Sequence, residues 1–347
     1  QPSRPPSPIP PADSPAALPI VGEDALLAYC FTGGTTRASK AVRISHAMAL
    51  HEARRYREVL PPELGGTGMR FLQNSSAYWG AALLGQLDVP FAVGGAAVIC
   101  QADLPAEIVD AVNRFGITCF GAVPSVLAHF GPEDVPRVRC VISWAEELTD
   151  AVAERWHPRV ALRDLLIATE YWLCLYSTRE HGRWLRPVAG VRVLVVDPDG
   201  DTPVGNDEVG ELLLGGPTVC PGYADSALDD GRFVRVGAHM YFRTRDLVRP
   251  VRGTAQLEYC GRCDDMVKVG GKWVDVTAVE ARVLMIPGVK EAKLVFGSDR
   301  HHAFLVLRQD FAQCPKATAT GMGSGVIDAV RQQLPPQFSI HVIAADA

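Results

Sequence analysis

The chain has 347 residues, of which 48% are hydrophobic and 21% charged, so it can bury a sizeable core and has room for two domains or more. Its net charge of −5 and the lack of any run of five basic residues argue against a nucleic-acid partner. The longest apolar stretch, residues 77–100, is broken by Gln86, Asp88 and Pro90, so no membrane-spanning helix is expected. Nine scattered cysteines predict a reducing, cytoplasmic location rather than a disulfide framework.

Residues 1–20 are dominated by Pro, Ser and Ala, which predicts a flexible lead-in. Beyond them, short β-rich apolar runs alternate with helical stretches, an order typical of a largely parallel, doubly wound sheet. The elements predicted for this part are, in chain order, helix 47–59, helix 106–115, strand 116–123, strand 139–143, helix 149–156 and strand 162–168.

From residue 191 to residue 258 the helical patterns disappear, and Gly, Pro and Asp turns separate short strands at 191–197 and 211–214. After Asp264 the order strand, helix, strand, strand, helix, strand predicts a small α+β domain. Its helices are expected at 276–285 and 325–334, and its strands include 291–296, 303–307 and 339–344. The sequence thus predicts an α/β fold: a partial doubly wound sheet with a small β subdomain (21–263), followed by a mobile α+β C-terminal domain (264–347).

The segment between Phe31 and Ala47 carries the pattern most suggestive of chemistry. Its glycines allow backbone N–H groups to face an anion at close range, and its threonine hydroxyls and lysine add donors and charge. It lacks the Gly-Lys-Ser/Thr succession of a Walker loop. The pattern predicts a phosphate-binding loop, with a polar hairpin turn as the alternative. The residues concerned are Thr32, Gly33, Gly34, Thr35, Thr36 and Lys40.

This loop resembles the Thr-Ser-Gly-Ser-Thr-Gly-x-Pro-Lys-Gly-Val loop of the adenylate-forming (AMP-binding) enzymes, which include acyl-CoA synthetases, peptide-synthetase adenylation domains and luciferases. Four positions differ: Gly33 stands for a serine, Arg37 and Ala41 for glycines, and Ser39 for the proline. Other segments resemble motifs of the same family, in the family's order along the chain. They are residues 115–130, 141–148, 166–170, 209–215 with 222–223, 242–247 and 261–274.

The resemblance implies that a small carboxylic acid is joined to the α-phosphate of ATP, pyrophosphate leaves, and the acyl group is transferred to a thiol. It implies that Glu170 holds Mg²⁺, that Thr169 hydrogen-bonds the α-phosphate and that Lys40 faces the phosphates. Asp246 is expected to accept the ribose hydroxyls, and Arg262 to reach the ribose or phosphate edge.

The same resemblance assigns Lys268, Gly270 and Gly271 to the face that meets the thiol acceptor, where glycine lets a pantetheine arm pass close to the backbone. The acceptor is CoA or the phosphopantetheine arm of an acyl carrier protein. Asp264 falls at the family's hinge, about which the small domain swings between half-reactions.

Structural alternatives stay open for these residues. Glu170 is also placed to cap a helix beginning at Tyr171, and Asp246 to be an ordinary turn aspartate. Lys40 and Lys268 have an alternative as solvated strand-edge charges, and residues 270–271 as a hairpin turn.

Two other pairs of residues suggest chemistry less strongly. Ser45 and His46 are adjacent on a predicted strand, where they point to opposite faces, so a nucleophile–base pair is rejected. Cys260 and Cys263 have C-x-x-C spacing, but no second pair accompanies them, so a metal or redox site is the lesser alternative.

Departures from the family pattern bear on activity. Trp144 and Ala145 replace glycines, and Leu166 replaces the aromatic residue that stacks on adenine. The family's sheet segment before the loop and its Gly-Lys pair after the last strand are not among the 347 residues, so the chain is expected to be incomplete and to adenylate poorly. Residues 264–274 favour an acyl- or aryl-CoA ligase. The alternatives are a degenerate nucleotide- or acyl-binding homologue and a peptide-synthetase-type domain that loads a carrier protein.

Overall fold

The structure, a computed structural model, describes residues 20–33, 39–76, 79–80, 85–264, 266–269, 272–297, 300–308 and 322–343. The chain divides into two compact units, Gln1–Cys174 with Pro217–Asp230, and Leu175–Gly216 with Gly231–Ala347. No helix in the described ranges is both long and apolar enough to cross a membrane. The lead-in of residues 1–20 falls, except for its last residue, outside the described ranges and stays a prediction.

The first unit opens with an antiparallel hairpin and continues into a parallel sheet. The hairpin strands are β1 (Leu26–Phe31) and β2 (Ala41–Ser45). The sheet strands are β3 (Arg70–Gln73), β4 (Ala96–Ile99), β5 (Cys119–Gly121), β6 (Cys140–Trp144), β7 (Ala161–Ala168) and β8 (Tyr171–Thr178). They lie in the order β4–β3–β5–β6–β7–β8, and the pairings from β4 to β7 are parallel. All of β8 is buried, and its last residues belong to the second unit.

The helices of the first unit begin and end where local chemistry favours it. They are α1 (His46–Val59), α2 (Gln86–Val93), α3 (Pro105–Phe115), α4 (Pro124–Leu127) and α5 (Asp150–Trp156). The Ser45 hydroxyl accepts the Met48 N–H to cap α1, and Gly116 ends α3 in the left-handed conformation at φ 61°. Helices α3 and α5 contribute to a core in which Trp156 packs edge-on against Phe120.

The second unit contains an antiparallel sheet. Its strands are β9 (Arg186–Pro187), which pairs with the end of β8, then β10 (Arg192–Val196), β11 (Gly210–Gly215), β12 (Phe233–Val236), β13 (His239–Pro250) and β14 (Leu257–Arg262). Five of them form a sheet of order β10–β11–β13–β12, with β14 also paired to β13. This is the predicted β subdomain.

An α+β part follows in the same unit. Its elements are the hairpin β15 (Met266–Val269) and β16 (Lys272–Asp275), then α6 (Val276–Leu284), β17 (Val289–Phe296), β18 (His301–Leu307), α7 (Met322–Gln333) and β19 (Phe338–Ile343). Strand β18 pairs antiparallel with β17 and parallel with β19, and both helices contribute to one core with this sheet.

The predicted α/β class is confirmed, with differences at particular elements. The predicted strand 116–123 shortens to β5 because Gly116 caps α3 and Pro124 begins α4. Tyr171 begins a buried strand, so the alternative in which Glu170 caps a helix is wrong. Strands β3, β4 and β8 and helix α2 are among the elements that were not predicted. The domain boundary at 263/264 stays a prediction.

Candidate functional site

The loop between β1 and β2 is closed at its neck by three hydrogen bonds. The Thr32 N–H donates to the Lys40 carbonyl (3.0 Å), the Lys40 N–H donates to Thr32 Oγ1 (3.1 Å), and Ser39 Oγ donates to the Thr32 carbonyl (2.7 Å). Gly34, Thr35 and Thr36 lie outside the described residues. The loop connects a hairpin, so the two sequence interpretations describe the same backbone, and anion binding stays a prediction.

A distant segment, residues 218–224, ties this hairpin to the end of β7. Its first part runs beside Glu170–Trp172: the Cys220 N–H donates to the Glu170 carbonyl (2.9 Å), and Tyr171 bridges to Val219. Its second part runs beside β2, where the Arg43 N–H donates to the Gly222 carbonyl (3.0 Å). The segment therefore passes from the predicted metal carboxylate to the phosphate-loop hairpin.

Tyr223 on this segment joins two of the predicted residues. Its hydroxyl donates to Glu170 Oε1 at 2.7 Å, and Lys40 Nζ lies 5.3 Å from the centre of its ring. Tyr223 is buried, so both contacts are made by a fixed ring. The structure thus brings Lys40 and Glu170 together through a residue that the sequence analysis quoted in a motif but gave no role.

Gly222 shows why this turn takes its shape. Its φ of 131° lies in a region that favours glycine, and a Cβ there would lie 2.7 Å from Asp229 Oδ2 and 2.8 Å from Arg43 Nη2. Asp229 Oδ1 accepts the Tyr223 N–H at 2.8 Å, which fixes the following residue. The glycine allows Asp229 and Arg43 to close on the backbone that carries Tyr223.

Thr169 lines a cavity of about 540 Å³ at the carboxyl ends of the parallel strands. In parallel α/β sheets this edge is where ligands bind. Most of the lining residues lie at or just after the carboxyl ends of the parallel strands β3 to β7, and others lie on α1, α3, α4 and the start of β8. Most of the wall is apolar or aromatic, including Trp79, Ile108, Val123, Val126, Trp144, Ile167 and Trp172. Because Thr169 precedes Glu170, the predicted metal carboxylate directly follows a lining residue of the cavity.

Two tryptophans of the wall pack on glycines. The Trp144 ring occupies the space where a side chain of Gly121 would stand, and a Cβ on Gly33 would lie 2.8 Å from the Trp79 ring. Ala145, the second departure from the family pattern, has φ 71°, a conformation that costs a non-glycine residue about 1 kcal/mol or more. The resemblance to a Gly-Gly motif explains that backbone, and Trp144 adds a wall to the cavity.

Glu52 is a lining residue that sequence reasoning missed. It lies on the buried stripe of α1 with Met48 and Tyr56, and its own side chain is buried. The Tyr56 hydroxyl donates to Glu52 Oε1 at 2.9 Å. Burial, with the charge of Asp88 second, raises the pKa of the Glu52 carboxyl to about 8. The sequence did contain a signal for this residue, because Glu52 is a carboxylate at a core-facing position of an amphipathic helix.

The residues around Glu170 fit a magnesium ion. Tyr223 occupies one carboxylate oxygen, and no other described group hydrogen-bonds the second. Mg²⁺ is typically bound through one or two carboxylates together with substrate phosphates and water. In the described part of the chain, no group of three or more His, Cys, Asp or Glu side chains is arranged so that it could hold a metal ion. Glu170 would thus hold the ion jointly with nucleotide phosphates.

The remaining predicted nucleotide residues belong to the second unit. Asp246 on β13 is buried, and its Oδ1 accepts from Arg262 Nη1 at 2.9 Å. Asp246 is therefore a paired strand residue rather than the turn aspartate of the alternative. Asp264 lies 3.5 Å from Arg245 Nε and 3.7 Å from Arg262 Nη2, so two arginines contact the predicted hinge residue.

Other predicted residues are placed less fully. Lys268 pairs with Trp273 in the hairpin of β15 and β16, but its side chain, Gly270 and Gly271 lie outside the described residues. Ser45 ends β2 and caps α1, and His46 begins that helix, so the two are not adjacent strand residues as predicted; the Ser45 hydroxyl accepts the Met48 N–H.

The two cysteines with C-x-x-C spacing are partly buried thiols. Cys260 and Cys263 are both free, and burial raises the pKa of Cys260 and brings that of Cys263 to about 11. A thiol is a metal ligand and nucleophile as its thiolate, which burial disfavours.

Comparison with known proteins gives a family. The family model described as AMP-binding enzyme matches residues 3–224. The nonribosomal peptide synthetase sidE of Aspergillus fumigatus is 26% identical over 299 residues, covering 83% of this chain and 14% of that protein. The nonribosomal peptide synthetase otaB of Aspergillus niger is 27% identical over 355 residues, covering 94% of this chain and 19% of that protein. The chain spans only a small part of the length of these relatives.

Solved structures share the fold. ATP-bound MatB from Rhodopseudomonas palustris matches with a TM-score of 0.71 at 22% identity, covering 94% of this chain and 65% of that one. The O-succinylbenzoate coenzyme A synthetase MenE from Bacillus subtilis, in complex with AMP, matches with a TM-score of 0.71 at 19% identity, covering 92% and 66%. The predicted resemblance to the AMP-binding family is confirmed.

Proposed function

Because the chain belongs to the AMP-binding enzyme family, we propose that it uses ATP and Mg²⁺ to activate a small carboxylic acid and passes the acyl group to a thiol. A carboxylate oxygen attacks the α-phosphorus and pyrophosphate leaves. The thiol sulfur then attacks the acyl carbonyl, gives up its proton, and AMP leaves. The observation that carries the proposal is the cluster of Lys40, Tyr223 and Glu170 next to Thr169, which lines the cavity.

Each residue of the first unit has a proposed role in that reaction. Thr169 donates a hydrogen bond to the α-phosphate, and the acid lies in the cavity that Thr169 lines. Glu170 holds Mg²⁺, which neutralises phosphate charge when bound. Lys40 and the loop that follows Thr32 add positive charge and donors at the phosphates. Tyr223 is a positioning residue that holds Glu170 toward Lys40. The acceleration comes from positioning and from stabilisation of developing charge.

Residues of the second unit carry further proposals. We assign the ribose hydroxyls to Asp246, with Arg262 holding that carboxylate. Lys268, Gly270 and Gly271 stay proposed contacts for the thiol arm, and Asp264 stays the proposed hinge.

The thiol acceptor has two candidates. The structural neighbours include a coenzyme A synthetase, which favours free CoA, and the curated relatives are peptide synthetases, which favours a carrier-protein phosphopantetheine. The eight described cysteines are free thiols, which supports a cytoplasmic place of action. Acyl transfer from a supplied acyl-adenylate to CoA, compared with transfer to a carrier protein, separates the two acceptors.

Calorimetric titration with ATP and Mg²⁺ tests the nucleotide site. Wild type should bind, and Glu170→Gln should weaken Mg²⁺-dependent binding by about tenfold or more, because an amide is a poorer ligand for a hard cation. Glu63→Gln, an exposed carboxylate beyond the end of α1, is the matched control and should bind as wild type does. Equal affinity in wild type and Glu170→Gln, or no binding by a folded chain, would contradict the proposal.

A further inference from the structure

The wall of the cavity includes a buried acidic side chain, that of Glu52. Glu52 lines both the main cavity and a small void of about 20 Å³, which is otherwise lined mostly by apolar and aromatic side chains and by the buried amide of Gln86. Trp144 also lines both spaces. Glu52 and Trp144 therefore stand where the cavity meets the packed core, whereas Asp103, another acidic lining residue, is exposed.

No basic side chain neutralises Glu52 in the part of the chain that the structure describes. Its one hydrogen-bonding partner there is the Tyr56 hydroxyl at 2.9 Å, and the charge that acts on it is the like charge of Asp88. A buried carboxyl without a cation is unfavourable in the ionised form, so burial keeps the proton on Glu52 well above its ordinary pKa. A buried ionisable group with a strongly shifted pKa that also lines a cavity is a candidate binding residue.

The aromatic side chains that line the same cavity as Glu52 suit a positive charge. Trp79, Trp144 and Trp172 all line the cavity, and the electron-rich face of an indole ring attracts an ammonium group. A volume of about 540 Å³ accommodates a small organic acid. A buried carboxyl and indole rings around one space form a binding place for an ammonium group attached to an apolar body.

We propose that Glu52 binds a basic nitrogen of the substrate, so that the acids this enzyme selects are amine-bearing carboxylic acids. The inference rests on the proposed function, because Thr169 is expected to receive the reacting carboxylate at the same cavity. When the ammonium enters, Glu52 gives its proton to solvent and becomes a carboxylate, and the ammonium and carboxylate pair inside the aromatic wall. The hydrogen bond between the ammonium and the Glu52 carboxylate then offsets the loss of the proton that Glu52 carries in the empty cavity.

Matched acids test this assignment. The pairs are 4-(aminomethyl)benzoate with 4-ethylbenzoate and 6-aminohexanoate with heptanoate, each differing by an ammonium in place of a methyl group. Binding of each acid to the chain is measured by calorimetry with ATP and Mg²⁺ present. In at least one pair the amine should bind about tenfold more tightly or better. Glu52→Gln should remove that preference, and Glu63→Gln should keep it.

A second measurement needs no variant. Titrating the wild type with the preferred amine near pH 7, in buffers of different ionisation enthalpy, should show release of about one proton, because Glu52 ionises on binding. The methyl-bearing partner should release none. Asp88 and Tyr56 are the other titratable groups acting at Glu52. Asp88→Asn removes a charge that helps to raise the Glu52 pKa, but burial is the larger cause, so this variant should still release a proton if Glu52 is the source.

The outcomes are distinct. A chain that binds ATP and Mg²⁺ but shows no amine preference in either pair, or keeps the preference in Glu52→Gln, overturns the Glu52 assignment and leaves the proposed function standing. Tighter binding of a hydroxyl-bearing analogue than of the amine likewise overturns it. A folded chain that binds no nucleotide overturns the proposed function and this inference together.

Discussion

The buried carboxyl of Glu52 makes the stability of the first unit depend on pH in a defined direction. Its pKa is raised from 4.5 to about 8 in the folded chain, chiefly by burial. Between these values the folded state keeps a proton that the unfolded state has lost. The free energy of unfolding therefore falls as the pH rises from about 4.5 to about 8, and Glu52 adds no further slope above that.

The size of the effect follows from the same shift. A rise from 4.5 to about 8, at about 1.4 kcal/mol per pH unit, sets an upper limit of about 5 kcal/mol. Because Glu52 lines a cavity, water reaches the ionised carboxylate and lowers its cost, so we expect a loss of about 2–3 kcal/mol. Glu52→Gln keeps the shape of the neutral acid and cannot ionise. It should match wild type near pH 5 and exceed it by about 2–3 kcal/mol near pH 8.

Urea unfolding at half-unit steps of pH measures this difference directly. Glu63→Gln removes an exposed carboxylate close in the chain and should follow the wild-type curve. Asp88, whose pKa burial raises to about 7, adds a slope of the same sign that stays in Glu52→Gln. If the wild-type and Glu52→Gln curves run parallel from pH 5 to pH 8, Glu52 is not the buried titrating group described and the reasoning is refuted.

Three further changes test the site and its supports. Tyr223→Phe keeps the ring beneath Lys40 but removes the hydroxyl that holds Glu170, so titration should show Mg²⁺-dependent ATP binding weakened by about tenfold, and unchanged binding would remove Tyr223 from the site. Gly116→Ala places a Cβ at φ 61° in the cap of α3 and should cost about 1 kcal/mol in urea unfolding, whereas a neutral result would mean that the cap is not left-handed. Ala145→Gly relieves a φ of 71° and should stabilise the chain by about 0.5–1 kcal/mol, and a destabilised variant would contradict that strain.

The elements predicted best from the sequence were those with a clear hydrophobic periodicity and clear residue signals at both ends. Helix α1 was expected at 47–59 and spans His46–Val59, and strand β7 was expected at 162–168 and spans Ala161–Ala168. Strand β8 was missed because its eight residues are all buried, so the run has no alternation that separates strand from helix.

The residues of the candidate site also differ in how far the sequence could predict them. Lys40, Thr169 and Glu170 could be named because each stands in a recognisable motif. The contact that joins two of them could not, because Tyr223 reaches Glu170 only when residues 218–224 pair with β2 and with the start of β8. Glu52 was hidden because hydrophobic periodicity treats a buried helix face as core, even where that face carries polar residues.

The central claim is that one site in this chain binds a nucleotide and an acyl group side by side. A stable acyl-adenylate mimic, a 5′-O-acylsulfamoyl adenosine, carries both parts in one molecule, and its affinity can be compared by calorimetry with those of AMP and of the free acid. Because the linked parts would fill the nucleotide site and the cavity at once, the mimic should bind about 100-fold more tightly than AMP, and Trp79→Ala should remove much of that gain. A mimic that binds no better than AMP would contradict the account.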